Sequence, residues 1–127
     1  MVRKLSFWKD KKVLITGHTG FKGGWLSICL QHLGAKVIGV AIDPPTEPNL
    51  YTVANVSQDM TSLYEDIRNG DAIKDIFKLY KPEILFHLAA QPLVRYSYQE
   101  PVETYETNVM GTLNILEGMR SINTVRS

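Results

Sequence analysis

Short apolar runs alternate along this chain with segments whose apolar residues recur every three or four positions, so the pattern predicts strands and helices in turn. Lys12 to Thr16 is a β-branched run that ends at a glycine, the signature of a strand buried on both faces. From about Gly23 to Leu33 the chain is apolar nearly all round, with Trp25, Leu26, Ile28, Cys29, Leu30 and Leu33. This predicts a buried helix, with Gly34 where its C-terminal cap belongs. Lys36 to Ile42 predicts a second strand, stopped by Asp43-Pro44-Pro45 because proline cannot donate to a ladder. Pro44 to Asn49 reads as loop, Leu50 to Val56 as a short helix, and Ser62 to Glu65 as a third strand ending near Asp66. Asp71 then reads as an N-cap ahead of Ile73, Ile76, Phe77 and Tyr80, which share one helical face. Pro82 closes that helix, and Glu83 to Leu88 predicts the fourth strand. A last helix opens at Pro101, where a missing N–H costs little, and runs to about Ile122. Val102, Tyr105, Val109, Leu113 and Leu116 line one face of it.

Strands that alternate with helices imply an α/β fold, a doubly wound parallel sheet with right-handed crossovers. At 127 residues the chain fits one domain, and 44% apolar with 21% charged residues is the balance of a folded globular protein. A net charge of +1 with scattered basic residues argues against nucleic acid as a partner. Cys29, the sole cysteine, is expected to be buried among Leu26, Ile28 and Leu30, and a reducing cytoplasm suits it. The start has basic residues without an apolar stretch behind them, and no run approaches the roughly 20 residues that span a bilayer. A soluble, unexported protein with no membrane partner is expected.

Chemistry concentrates between the first strand and the first helix, where Gly17-His18-Thr19-Gly20-Phe21-Lys22-Gly23 spaces its glycines G-x-x-G-x-x-G. In such a turn the first glycine permits the tight bend, the second lets a pyrophosphate approach the backbone, and the third lets the helix pack on the sheet. Free N–H groups at the helix start then favour an anion. Asp43, about twenty residues beyond Gly23, ends the second strand, where a carboxylate can accept hydrogen bonds from a ribose and repel a ribose phosphate. NAD is therefore favoured over NADP, although Asp43 has a rival role as cap of the Pro44-Pro45 turn. Lys22 can neutralise a pyrophosphate charge or simply be a solvated loop lysine, and His18 and Phe21 read as residues that shape the loop. His87 reads as a strand histidine held by one hydrogen bond. His18, His32 and His87 sit on different elements without metal-ligand spacing, so no metal site is expected.

With this loop, Asp66-Ile67-Arg68, His87-Leu88-Ala89-Ala90-Gln91 and Thr107-Asn108-Val109-Met110-Gly111-Thr112, the chain resembles the extended short-chain dehydrogenase/reductase (NAD-dependent epimerase/dehydratase) family over essentially its whole length. The resemblance implies a Rossmann-type sheet in the order 3-2-1-4, cut after about four strands, with residues 1–127 forming an incomplete N-terminal NAD-binding domain and the substrate domain absent. It implies NAD as cofactor, held by Gly17, Thr19, Gly20, Phe21, Lys22, Gly23, Asp43, Asp66 and Ile67, together with Leu88, Ala89, Ala90, Gln91 and Asn108. By the same resemblance Asn108 holds a water or a backbone carbonyl near the site. Ser97 and Arg95, after the fourth strand, are the candidates for contact with a nucleotide sugar.

The family's chemistry uses a tyrosine with a lysine four residues later. Tyr51, Tyr64, Tyr80, Tyr96, Tyr98 and Tyr105 are followed at that spacing by Asn55, Arg68, Ile84, Glu100, Val102 and Val109. No catalytic residue is therefore expected in these 127 residues, and no turnover by them alone. A homodimer is the expected assembly. The fourth strand, without a fifth beside it, is expected either to pair with a second copy or to be covered by a shift of the final helix. Two other readings stay open at this point, another nucleotide-sugar epimerase or dehydratase of the same family and a non-catalytic nucleotide-binding module.

Overall fold

The four predicted strands form one parallel sheet in the order β3-β2-β1-β4. The computed structural model describes residues 6–127, so part of the expectation about an export signal falls on residues 1–5, outside the described residues. The strands are β1 (Lys12–Thr16), β2 (Lys36–Ala41), β3 (Thr61–Tyr64) and β4 (Ile84–His87). The helices are α1 (Phe21–His32), α2 (Leu50–Val53), α3 (Gly70–Tyr80), α4 (Val94–Gln99), α5 (Pro101–Tyr105) and α6 (Gly111–Arg120), with a π-helical turn, Glu106–Met110, between the last two. No helix among the described residues is long and apolar enough to cross a membrane.

Strand residues alternate between two cores. Leu14, Ile38 and Val40 point to one face, where Ile67, Ile73, Phe77 and Ile115 cover them. Val13, Ile15 and Val37 point to the other, against Leu30, Ala35 and Ile84. Burial on both faces explains why β1 and β2 are continuous apolar runs instead of alternating ones. Each side chain so buried contributes about 1.5–3 kcal/mol.

Several expectations need correction. Helix α1 begins at Phe21 and buries Gly23, Gly24, Ser27 and Leu30. Trp25 is more than half exposed and Cys29 is exposed. A helix laid on one face of a sheet is covered on one side, and here small residues form the covered stripe, bringing the backbone close. Asn69, not Asp71, is the N-cap of α3: its side-chain oxygen accepts from Ala72 N at 3.3 Å, leaving Asp71 in the first turn, where the helix dipole favours a carboxylate.

The single last helix is three pieces. Val102, Tyr105, Val109, Leu113 and Leu116 are exposed, whereas Gly111, Ile115 and Gly118 of α6 face the core. The apolar stripe therefore points away from the sheet. Nor is β4 left bare or covered by a shifted helix: Arg126 N donates to Glu83 O at 2.7 Å and Leu85 N donates to Ser127 O at 2.9 Å, so the last residues lie along its free edge. Thr124 Oγ1 anchors this segment on Pro82 O at 2.8 Å.

Candidate functional site

The carboxyl ends of β1, β2 and β4 meet around the glycine loop. Gly17 has φ of +82° and donates to Val40 O at 2.8 Å, tying the turn to β2. A Cβ there would lie 2.9 Å from Ala89 N, so the turn and the β4 loop run backbone against backbone. At Gly23 a Cβ would lie 2.1 Å from Gly17 O. Side chains are excluded from both positions, and the loop closes on the first turn of α1. Gly20 is the N-cap of α1 and has no side chain to satisfy the first amides of the helix. Phe21 and Lys22 project into solvent, as the exposed rim of the turn.

Thr19 Oγ1 donates to Ile42 O at 2.9 Å, which holds the loop against the end of β2 where Asp43 follows. Asp43 is exposed and has no hydrogen bond or ion pair among the described residues, so its carboxylate does not cap the Pro44-Pro45 turn. Asp66 is engaged instead: Arg68 donates to it from N at 2.9 Å, from Nε and from Nη2 at 2.7 Å, and the guanidinium holds the carboxyl below its usual range. Ile67 is buried and its carbonyl accepts from Asn114 Nδ2 at 2.9 Å. Only the backbone and the polar flanks of this segment thus face outward.

On the other side, Leu88 and Ala90 are exposed, with Ala89 and Gln91 partly so. Asn108 grips Gln91 at both ends of its backbone, with Oδ1 accepting from N at 2.8 Å and Nδ2 donating to O at 3.0 Å. The Gln91 side chain is itself engaged locally, with Leu93 and Thr104. Arg95 and Ser97 lie on α4, where Ser97 Oγ donates to Val94 O at 2.6 Å and Arg95 is exposed. Neither reaches the glycine loop through a hydrogen bond. Tyr96 donates to Glu103 Oε2 at 2.8 Å, and that carboxylate raises the phenol above its usual range, the opposite of what a proton-accepting tyrosine needs. Two concavities lie elsewhere, one of about 420 Å³ along Pro101 to Met110 and one of about 540 Å³ below the amino ends of β1 to β3.

The pattern of the sequence did not mark His18 as more than loop. Its ring is buried over Gly39, where a Cβ would lie 2.4 Å from it, and Nε2 pairs with Ser62 Oγ at 2.7 Å. Tyr51 meets the ring edge-on at 5.5 Å and shares the same hydroxyl at 2.8 Å. Nδ1 has no partner in hydrogen-bonding geometry; burial lowers the ring from 6.5 to about 4, with the Val40 carbonyl opposing weakly. Between those values the unfolded chain binds a proton that the folded chain refuses, so stability falls as pH drops through the window, by up to about 3 kcal/mol. Urea unfolding at about pH 7.5 and about pH 5 is expected to show this decline, and His18→Asn to shrink it. An equal decline in both proteins would assign it to other groups.

A family model described as GDP-mannose 4,6 dehydratase matches residues 14–127. The chain belongs to that family. Among proteins similar to this GDP-mannose 4,6 dehydratase family member, a CDP-glucose 4,6-dehydratase of Salmonella typhimurium is 48% identical over 122 residues, covering 96% of this chain and 34% of that protein. The UDP-glucose 4-epimerase of Thermotoga maritima, solved with UDP-glucose, is 33% identical with a TM-score of 0.74, over 84% of this chain and 33% of that one. The Thermus thermophilus UDP-glucose 4-epimerase, solved in complex with NAD, is 29% identical with a TM-score of 0.76, over 86% of this chain and 33% of that one. The chain thus spans about a third of the length of the relatives it matches. Dehydratases and epimerases acting on nucleotide sugars are what the resemblance carried by the loop and by the Asp66, His87 and Thr107 stretches implies, and the parallel order 3-2-1-4 agrees with the fold it implies.

Proposed function

We propose that residues 1–127 are the NAD-binding part of a CDP-glucose 4,6-dehydratase, a lyase that converts CDP-D-glucose to CDP-4-keto-6-deoxy-D-glucose in a longer protein. The NAD part of this reading is carried by the backbone-to-backbone closure of Gly17 on Leu88 and Ala89, with an uncapped helix start on one side and the unpartnered Asp43 carboxylate beside it, and the CDP-glucose part is supported by the 48% identity to the Salmonella dehydratase. These residues fit a dinucleotide: amides for the diphosphate, a carboxylate for the adenosine ribose, and a shelf under the central riboses. Thr19, Phe21 and Lys22 would border the diphosphate, Asp66 and Ile67 the adenine, and Ala90, Gln91 and Asn108 the second ribose. Arg95 and Ser97 stand on the sugar side.

The chemistry that NAD held there would supply is reversible hydride transfer, which would let the longer protein oxidise the sugar, lose water and reduce the product without net consumption of cofactor. The chain's own part is to bind and orient. None of its tyrosines has a lysine four residues later, so turnover by these residues alone is not expected. A homodimer acting in the cytoplasm completes the reading. The likeness to UDP-glucose 4-epimerases favours epimerisation as a second reading, which product analysis of the longer protein would distinguish.

Titration calorimetry tests the cofactor assignment. NAD and ADP-ribose are expected to bind the 127-residue chain, NADP about tenfold or more weakly, and Asp43→Asn to narrow that gap. A folded chain that gives no heat with NAD would overturn the reading, as would a 4-keto sugar formed from CDP-glucose by this chain the expectation of inactivity.

A further inference from the structure

The β4 loop hangs on a chain of hydrogen bonds whose direction can be worked out. Thr112 has one hydroxyl proton and donates it to Asn108 O at 2.7 Å. Its oxygen, 3.0 Å from His87 Nε2, must therefore accept, so Nε2 carries the imidazole proton. Nδ1 is then an acceptor, and the group 2.6 Å from it, Thr16 Oγ1, must donate. With its proton committed to the ring, Thr16 Oγ1 has two lone pairs left, and these meet two donors, Leu88 N at 3.0 Å and Ala89 N at 3.1 Å. Each side-chain proton in the series has one acceptor and both Thr16 Oγ1 lone pairs are filled, the Leu88 N–H being shared with Thr16 O at 3.1 Å. Reversing the ring tautomer would set Nε2 and Thr112 lone pair to lone pair, and would place a third donor on Thr16 Oγ1.

We propose that His87 is a positioning residue for the cofactor: as the neutral Nε2–H tautomer it fixes the polarity of Thr16, and thereby the placement of Leu88 and Ala89 against Gly17. This rests on the NAD reading for its function, while the polarity itself does not. The two ends of the series converge on one loop, because Thr112 donates to the carbonyl of Asn108 and Asn108 grips the Gln91 backbone. Thus β1, β4 and α6 hold residues 88 to 91 from both ends, with His87 in the middle. Burial keeps the imidazole below its usual range, which agrees with a neutral ring.

Three measurements on the 127-residue chain test this. Long-range proton–nitrogen correlation spectra are expected to show Nε2 protonated and Nδ1 bare near neutral pH, and an Nδ1–H ring would overturn the proposal. His87→Gln, whose amide can offer an acceptor and a donor in the same order, is expected to keep NAD affinity within about threefold and to leave amide exchange at Leu88 and Ala89 slow. His87→Leu, of similar bulk, is expected to weaken NAD about tenfold and to speed exchange by a similar factor at Ala89, whose amide relies on Thr16 Oγ1, but less at Leu88, which also donates to Thr16 O. Thr112→Val, which removes the acceptor for Nε2–H, provides the same contrast should His87→Leu not fold. Equal losses in the glutamine and leucine variants, or no loss in leucine and valine variants, would overturn the role of polarity. A native chain that fails to bind NAD would sink the cofactor reading alone, since the tautomer and the exchange rates still decide the rest.

Discussion

Gly23→Ala is expected to abolish measurable NAD binding and to destabilise the chain by about 3 kcal/mol, the upper part of the range for overpacked sites. Its Cβ would lie 2.1 Å from Gly17 O, 2.8 Å from Gly17 C and 3.0 Å from His18 Cα. All three are backbone atoms of the turn, so no rotamer change relieves the overlap. Relief requires α1 to draw back from β1 or the turn to open, and either movement spreads the amides that would converge on a diphosphate. Gly20→Ala is the control for stability. Its Cβ would meet Gly17 O at 3.4 Å with nothing else near, and Gly20 has φ of −80°, which alanine adopts freely. That variant is expected to lose at most about 1 kcal/mol, mainly through a poorer N-cap. Urea unfolding and calorimetry on both proteins check the pair. If Gly23→Ala matched Gly20→Ala in stability and the native chain in affinity, the tight closure of the loop would not be what the site depends on.

Phe77→Ala is expected to cost about 3–5 kcal/mol, a large share of the 5–15 kcal/mol typical of a whole domain, and to leave much of the chain unfolded at moderate urea. Phe77 is completely buried between the sheet and α6, in the cluster with Leu14, Ile73 and Ile115. Its ring also explains Gly118, where a Cβ would lie 2.4 Å from Phe77 Cδ2. Gly118→Ala alone is therefore expected to destabilise, and Phe77→Leu to make room for it. A double-mutant cycle on Phe77→Leu and Gly118→Ala should give a favourable coupling of about 1 kcal/mol or more. Simple additivity would mean that the ring can swing aside, and that α3 and α6 are not interlocked at this point.

What could be read in advance follows from the range over which each signal acts. β1 with the turn behind it spans a dozen neighbouring residues, and its strand, glycines and helix were all legible because a local backbone conformation demanded them. β2 was legible as a strand from its own short apolar run. Partners brought together by the fold were not. His18 meets Ser62 across 44 positions, Asn114 meets Ile67 across 47, and Thr16 meets His87 across 71. No periodicity encodes such meetings, although a histidine inside a glycine loop and threonines at strand and helix ends were the available hints. Helix α4 is not legible because Val94 to Gln99 has no apolar repeat at helical spacing and buries nothing. The π turn at Glu106–Met110 was invisible too, since no proline or glycine lies within it and the apolar stripe runs through it unbroken. Trp25 and Cys29 misled for a different reason: apolar residues on every side of a helix do not say which side the sheet will take.

The strand order has a consequence for the birth of the molecule. β1 is flanked by β2 on one side and by β4 on the other, and the second partnership joins Val13 to Ile84. On a ribosome adding about 5–20 residues per second, that neighbour arrives roughly 4 to 14 seconds after β1 itself. For that interval one flank of the central strand, Val13 to Ile15, offers its amides and carbonyls to any passing chain. Nascent molecules are thus most prone to stray partnerships before β4 is made, and a holdase that shields apolar runs would raise the yield of native protein most during that interval.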